Sequence, residues 1–257
     1  LLHSLAVDPC PQGITLTGGE PLLRDDLPEL SRQARALGMA AAVATNGTLL
    51  DRESVRLLTE AGVGHFDIGM PCVDEEPCRG LGCGDPHLIR AAIAAAAESG
   101  ATVTVSVCLT AQTCPAAGRT VETAAALGAD AVCLNRFVPT GRGAAAAEGL
   151  SPSPAVLRRA LREADRASER AAVRLYAGIP LEPCLFDRAD YPRIRFTGCV
   201  CGAGKWAVGP DGGLRFCEQS GNVLGSLLQS PFSRLSAGPA VSEFRSRLPL
   251  DDCRGCP

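Results

Sequence analysis

The sequence predicts an α/β protein, a partial (β/α)6 barrel of parallel strands followed by a small cysteine-rich domain. Three observations predict it. Short apolar or β-branched runs alternate with amphipathic helical stretches as far as Tyr176, which implies parallel strands joined by helical crossovers. Marked turns follow the strands at Gly18-Gly19-Glu20, Thr45-Asn46-Gly47 and Gly69-Met70-Pro71, and ligands of such sheets sit at the carboxyl ends of the strands. After about Gly178, helical periodicity gives way to Gly, Pro, Cys and short strand-like pieces.

Residues 1 to 9 read as the tail of a helix. Gly13 to Thr17 is the first strand, and a helix from about Asp26 carries Leu27, Leu30, Ala34 and Leu37 on one face before Gly38 stops it. Ala40 to Ala44 is the next strand, Asp51 to Ala61 the next helix, and His65 to Met70 the third strand. A loop rich in Cys, Pro and Gly leads to a helix capped by Asp85, begun by Pro86 and ended at Gly100. Thr102 to Leu109 alternates like a half-buried strand. A helix from Arg119 to Leu127, a strand from Ala131 to Leu134, a helix from Ser153 to Arg170 and a strand from Val173 to Tyr176 complete the series. Residues 1–178 are thus assigned to the barrel and 179–257 to the second domain.

The composition excludes several classes of function. A net charge of −3 argues against general binding to nucleic acid or to a membrane surface. No apolar run is long enough to span a bilayer and no secretion signal is visible, so the expectation is a soluble, cytoplasmic protein. Lys205 is the only lysine, which leaves the barrel without a Schiff-base nucleophile. Thirteen cysteines against three histidines point to thiolate chemistry, with zinc or iron–sulfur clusters as the groups such ligands select.

The segment Gly18-Gly19-Glu20-Pro21 admits close approach of a ligand to the backbone, and its carboxylate suits an ammonium group. Thr45-Asn46-Gly47, taken alone, is as readily a plain turn. Together with Leu22-Leu23-Arg24, Thr48-Leu49-Leu50 and the stretch from Asn135 to Arg142 that contains Pro139-Thr140-Gly141-Arg142, these segments resemble, in order, the radical S-adenosylmethionine (SAM) superfamily. The resemblance covers roughly residues 1 to 150. It implies that Gly18, Gly19, Glu20, Pro21, Thr45, Asn46 and Gly69 frame SAM. One departure stands at Ile68-Gly69-Met70-Pro71, where family members often carry Ile-Ser-Leu-Asp-Gly, so the usual serine contact is gone.

The tail resembles the SPASM or twitch type of auxiliary iron–sulfur domain. Cys201 and Cys217 flank a predicted hairpin with Asp211-Gly212-Gly213 at its turn, and Cys253-x-x-Cys256 supplies a second pair. Cys184 and Cys199 are further candidate ligands, and each reads equally well as a bystander thiol. Cys72, Cys78 and Cys83 have the wrong spacing for the SAM-binding cluster and are read as a variable loop. Cys10, Cys108, Cys114 and Cys133 are expected in core or loop, and His65 and His87 in structural roles.

The resemblance implies SAM and [4Fe–4S] clusters as cofactors, a 5′-deoxyadenosyl radical as the reagent, a ribosomally made peptide or protein as substrate, and ferredoxin or flavodoxin as electron donor. No nucleic-acid or membrane partner is expected. The family's Cys-x3-Cys-x2-Cys has no counterpart here, since the residues before Gly18 hold one cysteine. The chain is therefore expected to be a piece of a longer enzyme, inactive and aggregation-prone by itself. Two rival readings are small-molecule, haem-type cofactor biosynthesis on the same scaffold and a non-catalytic, zinc-binding or degenerate scaffold.

Overall fold

The computed structural model describes residues 1–9, 11–182 and 184–246, with the side chains of 78–80 and 142 left aside. In chain order its elements are α1 (Leu2–Val7), β1 (Gly13–Leu16), α2 (Leu27–Ala36), β2 (Ala40–Thr45), α3 (Arg52–Glu60), β3 (Val63–Gly69), α4 (Glu75–Leu81), α5 (Pro86–Glu98), β4 (Thr102–Leu109), α6 (Ala117–Ala126), β5 (Ala131–Arg136), α7 (Ala147–Leu150), α8 (Pro154–Ala171), β6 (Arg174–Ala177) and β7 (Ile194–Phe196). Then follow β8 (Ala207–Val208), β9 (Gly213–Arg215), β10 (Val223–Ser226), α9 (Phe232–Ser236) and α10 (Pro239–Ser246).

Strands β1 to β7 form one sheet in sequential order, every neighbouring pair parallel. The alternation in β4 shows why. Val103, Val105, Val107 and Leu109 are buried, while Thr104, Ser106 and Cys108 on the other face are half-buried. The apolar face of the sheet, with Val43, Phe66, Ile68, Val132 and Leu134, belongs to the same core as Ile89 and Ile93 of α5, Val121 of α6 and Leu157 and Leu161 of α8. Helix starts follow their sequence signals: the carboxylates of Asp51 and Asp85 accept from the backbone N–H groups of Ser54 and His87, and Ser153 Oγ accepts from Val156. Among the described residues no helix is long and apolar enough to cross a membrane.

Two compact units result. One comprises residues 13–36 and 40–197; the other gathers residues 1–12, 37–39 and those from Gly198 on. The sequence reading differs in three places. The sheet has a seventh parallel strand, so six units undercount it, and the division falls at Thr197/Gly198 rather than at 178/179. The cause is β7, whose Ile194, Arg195 and Phe196 pair with Leu175, Tyr176 and Ala177. Helix α1 groups with the second unit rather than with the barrel. Finally, the Cys-, Pro- and Gly-rich loop after β3 contains a helix, α4.

The second unit is built on a small antiparallel sheet in the order β10-β9-β8. The β8–β9 connection turns at Gly212, whose φ of +78° favours glycine, and the Gly209 N–H closes it on the Gly213 carbonyl at 2.9 Å. Leu214, Phe216, Leu227 and Val241 are buried there, and Phe216 stacks on Phe244 with ring centroids 4.4 Å apart.

Candidate functional site

At the carboxyl ends of β1 and β2 one carboxylate organises two turns. Glu20 Oε1 accepts from Thr45 Oγ1 at 2.7 Å and from the Leu22 N–H at 3.1 Å, and Oε2 accepts from the Asn46 N–H at 2.8 Å. The Gly47 N–H donates to Thr45 Oγ1 at 3.0 Å, and Asn46 Oδ1 accepts from both the N–H and the hydroxyl of Thr48. Gly47 is required by its surroundings: its φ is +79°, and a Cβ there would lie 2.9 Å from Ile68 Cγ2. Gly18 and Gly19 are different. They are exposed, and a Cβ on either would meet no atom within 4 Å, so the space beside them is open. Pro21 is buried at the start of a single 3₁₀ turn. Gly69, which ends β3, lies beside the second turn, a Cβ built on it being 3.7 Å from the Thr45 carbonyl oxygen.

The face of the sheet opposite the helix-covered core is polar. Register places Gly69, Ser106, Cys133, Tyr176 and Arg195 in one row across β3 to β7. In the next row toward the amino ends Asp67 pairs with Thr104, and Thr104 Oγ1 lies 2.9 Å from His65 Nε2. At the end of β5, Arg136 Nε donates to the Pro180 carbonyl at 2.8 Å and its Nη2 lies 3.4 Å from Glu182. Those contacts fix the last residue of β5, three residues before Pro139. Burial pushes the Cys108 thiol up from its ordinary pKa and the Cys114 thiol up to about 12, so neither is a ready nucleophile.

In the second unit three thiols lie together. Burial, together with the neighbouring Cys199 and Cys217 thiols, pushes the Cys201 thiol up to about 12. The hairpin makes this convergence. The Gly202 N–H donates to the Phe216 carbonyl at 3.3 Å, tying the residue after Cys201 to the one before Cys217. All three are free thiols. Among the described residues no three Cys, His, Asp or Glu side chains surround a point where a single ion would sit. A cluster makes a different demand, because its ligands bind separate irons.

The model of the radical SAM superfamily matches residues 3–113. A PqqA peptide cyclase of Streptomyces rochei is 30% identical over 252 residues, covering 94% of this chain and 67% of that protein. The chain belongs to the radical SAM superfamily. An Fe-coproporphyrin III synthase of Methanosarcina barkeri is 45% identical over 62 residues, 24% of this chain and 16% of that one. Among solved structures, Streptococcus suis SuiB bound to the precursor peptide SuiA shares the fold with a TM-score of 0.70 at 15% identity, over 91% of this chain and 56% of SuiB. The chain thus spans about two thirds of the length of the first of these relatives and less of the others.

Within this radical SAM chain the structure joins Glu20, Thr45, Asn46 and Gly69 in one place and puts Gly18, Gly19 and Pro21 on the segment leading into it. It joins Cys199, Cys201 and Cys217 in another. Cys184 is exposed and belongs to the barrel unit. Cys253 and Cys256 lie outside the described residues. Cys72 is buried with Cys83 packed against it, and Cys114 is buried. Cys108 and Cys133 are half-buried on the polar face of β4 and β5 rather than in the apolar core. Sequence reasoning gave no role to Ser106 or Tyr176, although the period-two alternation of β4 places Thr104, Ser106 and Cys108 on one face.

Proposed function

We propose that this chain is the SAM-framing and auxiliary-cluster-bearing part of a radical SAM enzyme that modifies a ribosomally made peptide. The alignment to a PqqA peptide cyclase carries this reading, because it runs through both compact units and not through the barrel alone. When bound, SAM and a [4Fe–4S] cluster supply one-electron chemistry that ends in hydrogen-atom abstraction from the substrate.

The residues present fit SAM's amino-acid end. Among the described residues the carboxylate of Glu20 accepts three hydrogen bonds, which leaves one acceptor position on Oε2 for an ammonium proton. The space beside Gly18 and Gly19 admits a ligand against bare backbone. Thr45 and Asn46 fix the orientation of the Glu20 carboxylate, which lowers the ordering cost of binding. The polar row Ser106, Cys133 and Tyr176 offers hydroxyl and thiol contacts to a peptide laid across the sheet.

The donor set of the second unit suits an iron–sulfur group. Cys199, Cys201 and Cys217 are uncrosslinked thiols brought together by a hairpin, and we assign Cys253 and Cys256 as a separate thiolate pair. Cys184 is the weakest candidate ligand, being exposed in the other unit. Ferredoxin or flavodoxin would serve as the electron donor. Haem-type chemistry has only the 62-residue match behind it, which spans 24% of the chain.

The test is co-expression of the gene that encodes this chain with each short reading frame beside it, followed by mass spectrometry of the peptides. A mass change that disappears in a Glu20→Ala variant is the expected result. Unchanged peptides, together with turnover of a porphyrin substrate, would overturn the peptide reading.

A further inference from the structure

Lys205, the chain's only lysine, stands at the thiol end of the hairpin, whereas every other fixed cationic side chain is an arginine. Its backbone is tied to the first thiol: Cys201 and Lys205 form a bridge, the Lys205 carbonyl accepts from the Gly202 N–H at 3.1 Å, and the Lys205 N–H donates to the Val200 carbonyl at 3.0 Å. Its ammonium lies 2.7 Å from Oε1 of Glu218, the residue after Cys217. The ion pair therefore spans the two chain segments that carry the thiols. As a stability device the pair is weak, since its side chains are 53% and 51% exposed and water screens such bridges.

We propose that Lys205 and Glu218 are a pair of opposed charges that set the reduction potential of the iron–sulfur group held by the Cys201–Cys217 hairpin. This rests on the cluster reading above and adds to it which residues tune the cluster. Reduction adds one electron from a low-potential donor and makes or breaks no bond, so the nearby charges alter only the energy of the added negative charge. Lys205 favours the reduced form and Glu218 opposes it. Arg245, whose guanidinium donates to the Gly202 carbonyl, adds a second cation on the Cys201 side.

The experiment is a potentiometric titration of the anaerobically reconstituted chain, followed by electron paramagnetic resonance, for wild type, Lys205→Gln, Lys205→Arg, Glu218→Gln and the double variant Lys205→Gln/Glu218→Gln. At fixed ambient potential the reduced-to-oxidised ratio of Lys205→Gln should fall several-fold, with an upper bound of about tenfold, equivalent to about 59 mV for one electron. Glu218→Gln should move the ratio the opposite way, and Lys205→Arg and the double variant should stay near wild type. A merely structural pair would shift both single variants alike. Full iron content with unmoved potentials, or with shifts of the same sign, overturns this inference alone. A wild-type chain that takes up no iron overturns it together with the cluster reading.

Discussion

The two compact units hold their candidate sites in different ways. In the barrel, a carboxylate with three internal donors sits on strands whose apolar face is packed, with Val43, Phe66 and Ile68 fully buried beneath it. In the second unit the thiols flank a sheet of strands two to four residues long, and Phe216 stacks on Phe244 beside buried Leu214, Leu227 and Val241. The first site is set by packing before any ligand arrives. The second has the character of small domains that take part of their folding energy from a bound metal group.

The largest effect that sharpens this contrast is expected on removing the metal group. Chelation of the reconstituted protein, or Cys201→Ser or Cys217→Ser, should lower hydrogen-exchange protection in β8 and β9 by several hundred-fold or more while leaving β3 to β5 protected. Equal loss in both units would break the comparison. Next in size, Phe66→Ala should destabilise the barrel unit by about 3–5 kcal/mol through lost burial and a residual cavity, read by denaturant unfolding. Iron uptake by the second unit should survive that change below the midpoint.

Glu20→Ala is expected to cost about 1–3 kcal/mol, because it leaves Thr45 Oγ1 and the Asn46 N–H without their acceptor. The matching measurement is faster exchange of the Asn46 amide, with the β4 amides unchanged. The smallest effect concerns Asp51, whose carboxyl the Ser54 N–H holds below the usual carboxylate range. A group whose folded pKa is depressed adds stability above its unfolded pKa and loses it as pH falls through the folded value. Wild type and Asp51→Ala should therefore differ by about 1 kcal/mol near neutrality and converge under acid, as thermal melts across that range will show.

Much of the barrel was legible because its signals are local. The caps at Asp51 and Asp85 act within three residues, and β4 announces its two faces by strict alternation. The hairpin between Cys201 and Cys217 was legible too, from the spacing of the two cysteines about Asp211-Gly212-Gly213. Strand β7 was not, since three residues after Pro192 are too few to show a period, and only pairing with β6 makes them a strand. Helix α4 was hidden because Pro, Cys and Gly interrupt its helix-favouring Glu, Arg and Leu residues. The union of Glu20 with Thr45 and Asn46 spans 25 and 26 residues, so no local pattern could reveal it. Lys205 was visible as the sole lysine, but its place beside two thiols and Glu218 depends on the hairpin closing.

Framing of SAM by the turns after β1, β2 and β3 can be read by hydrogen exchange and mass spectrometry on the anaerobically reconstituted protein with and without saturating SAM. Added protection is expected in peptides that contain Gly18 to Glu20, Thr45 to Gly47 and Gly69, lost in Glu20→Ala. SAM binding that leaves those three segments unchanged, or that Glu20→Ala does not weaken, would contradict it.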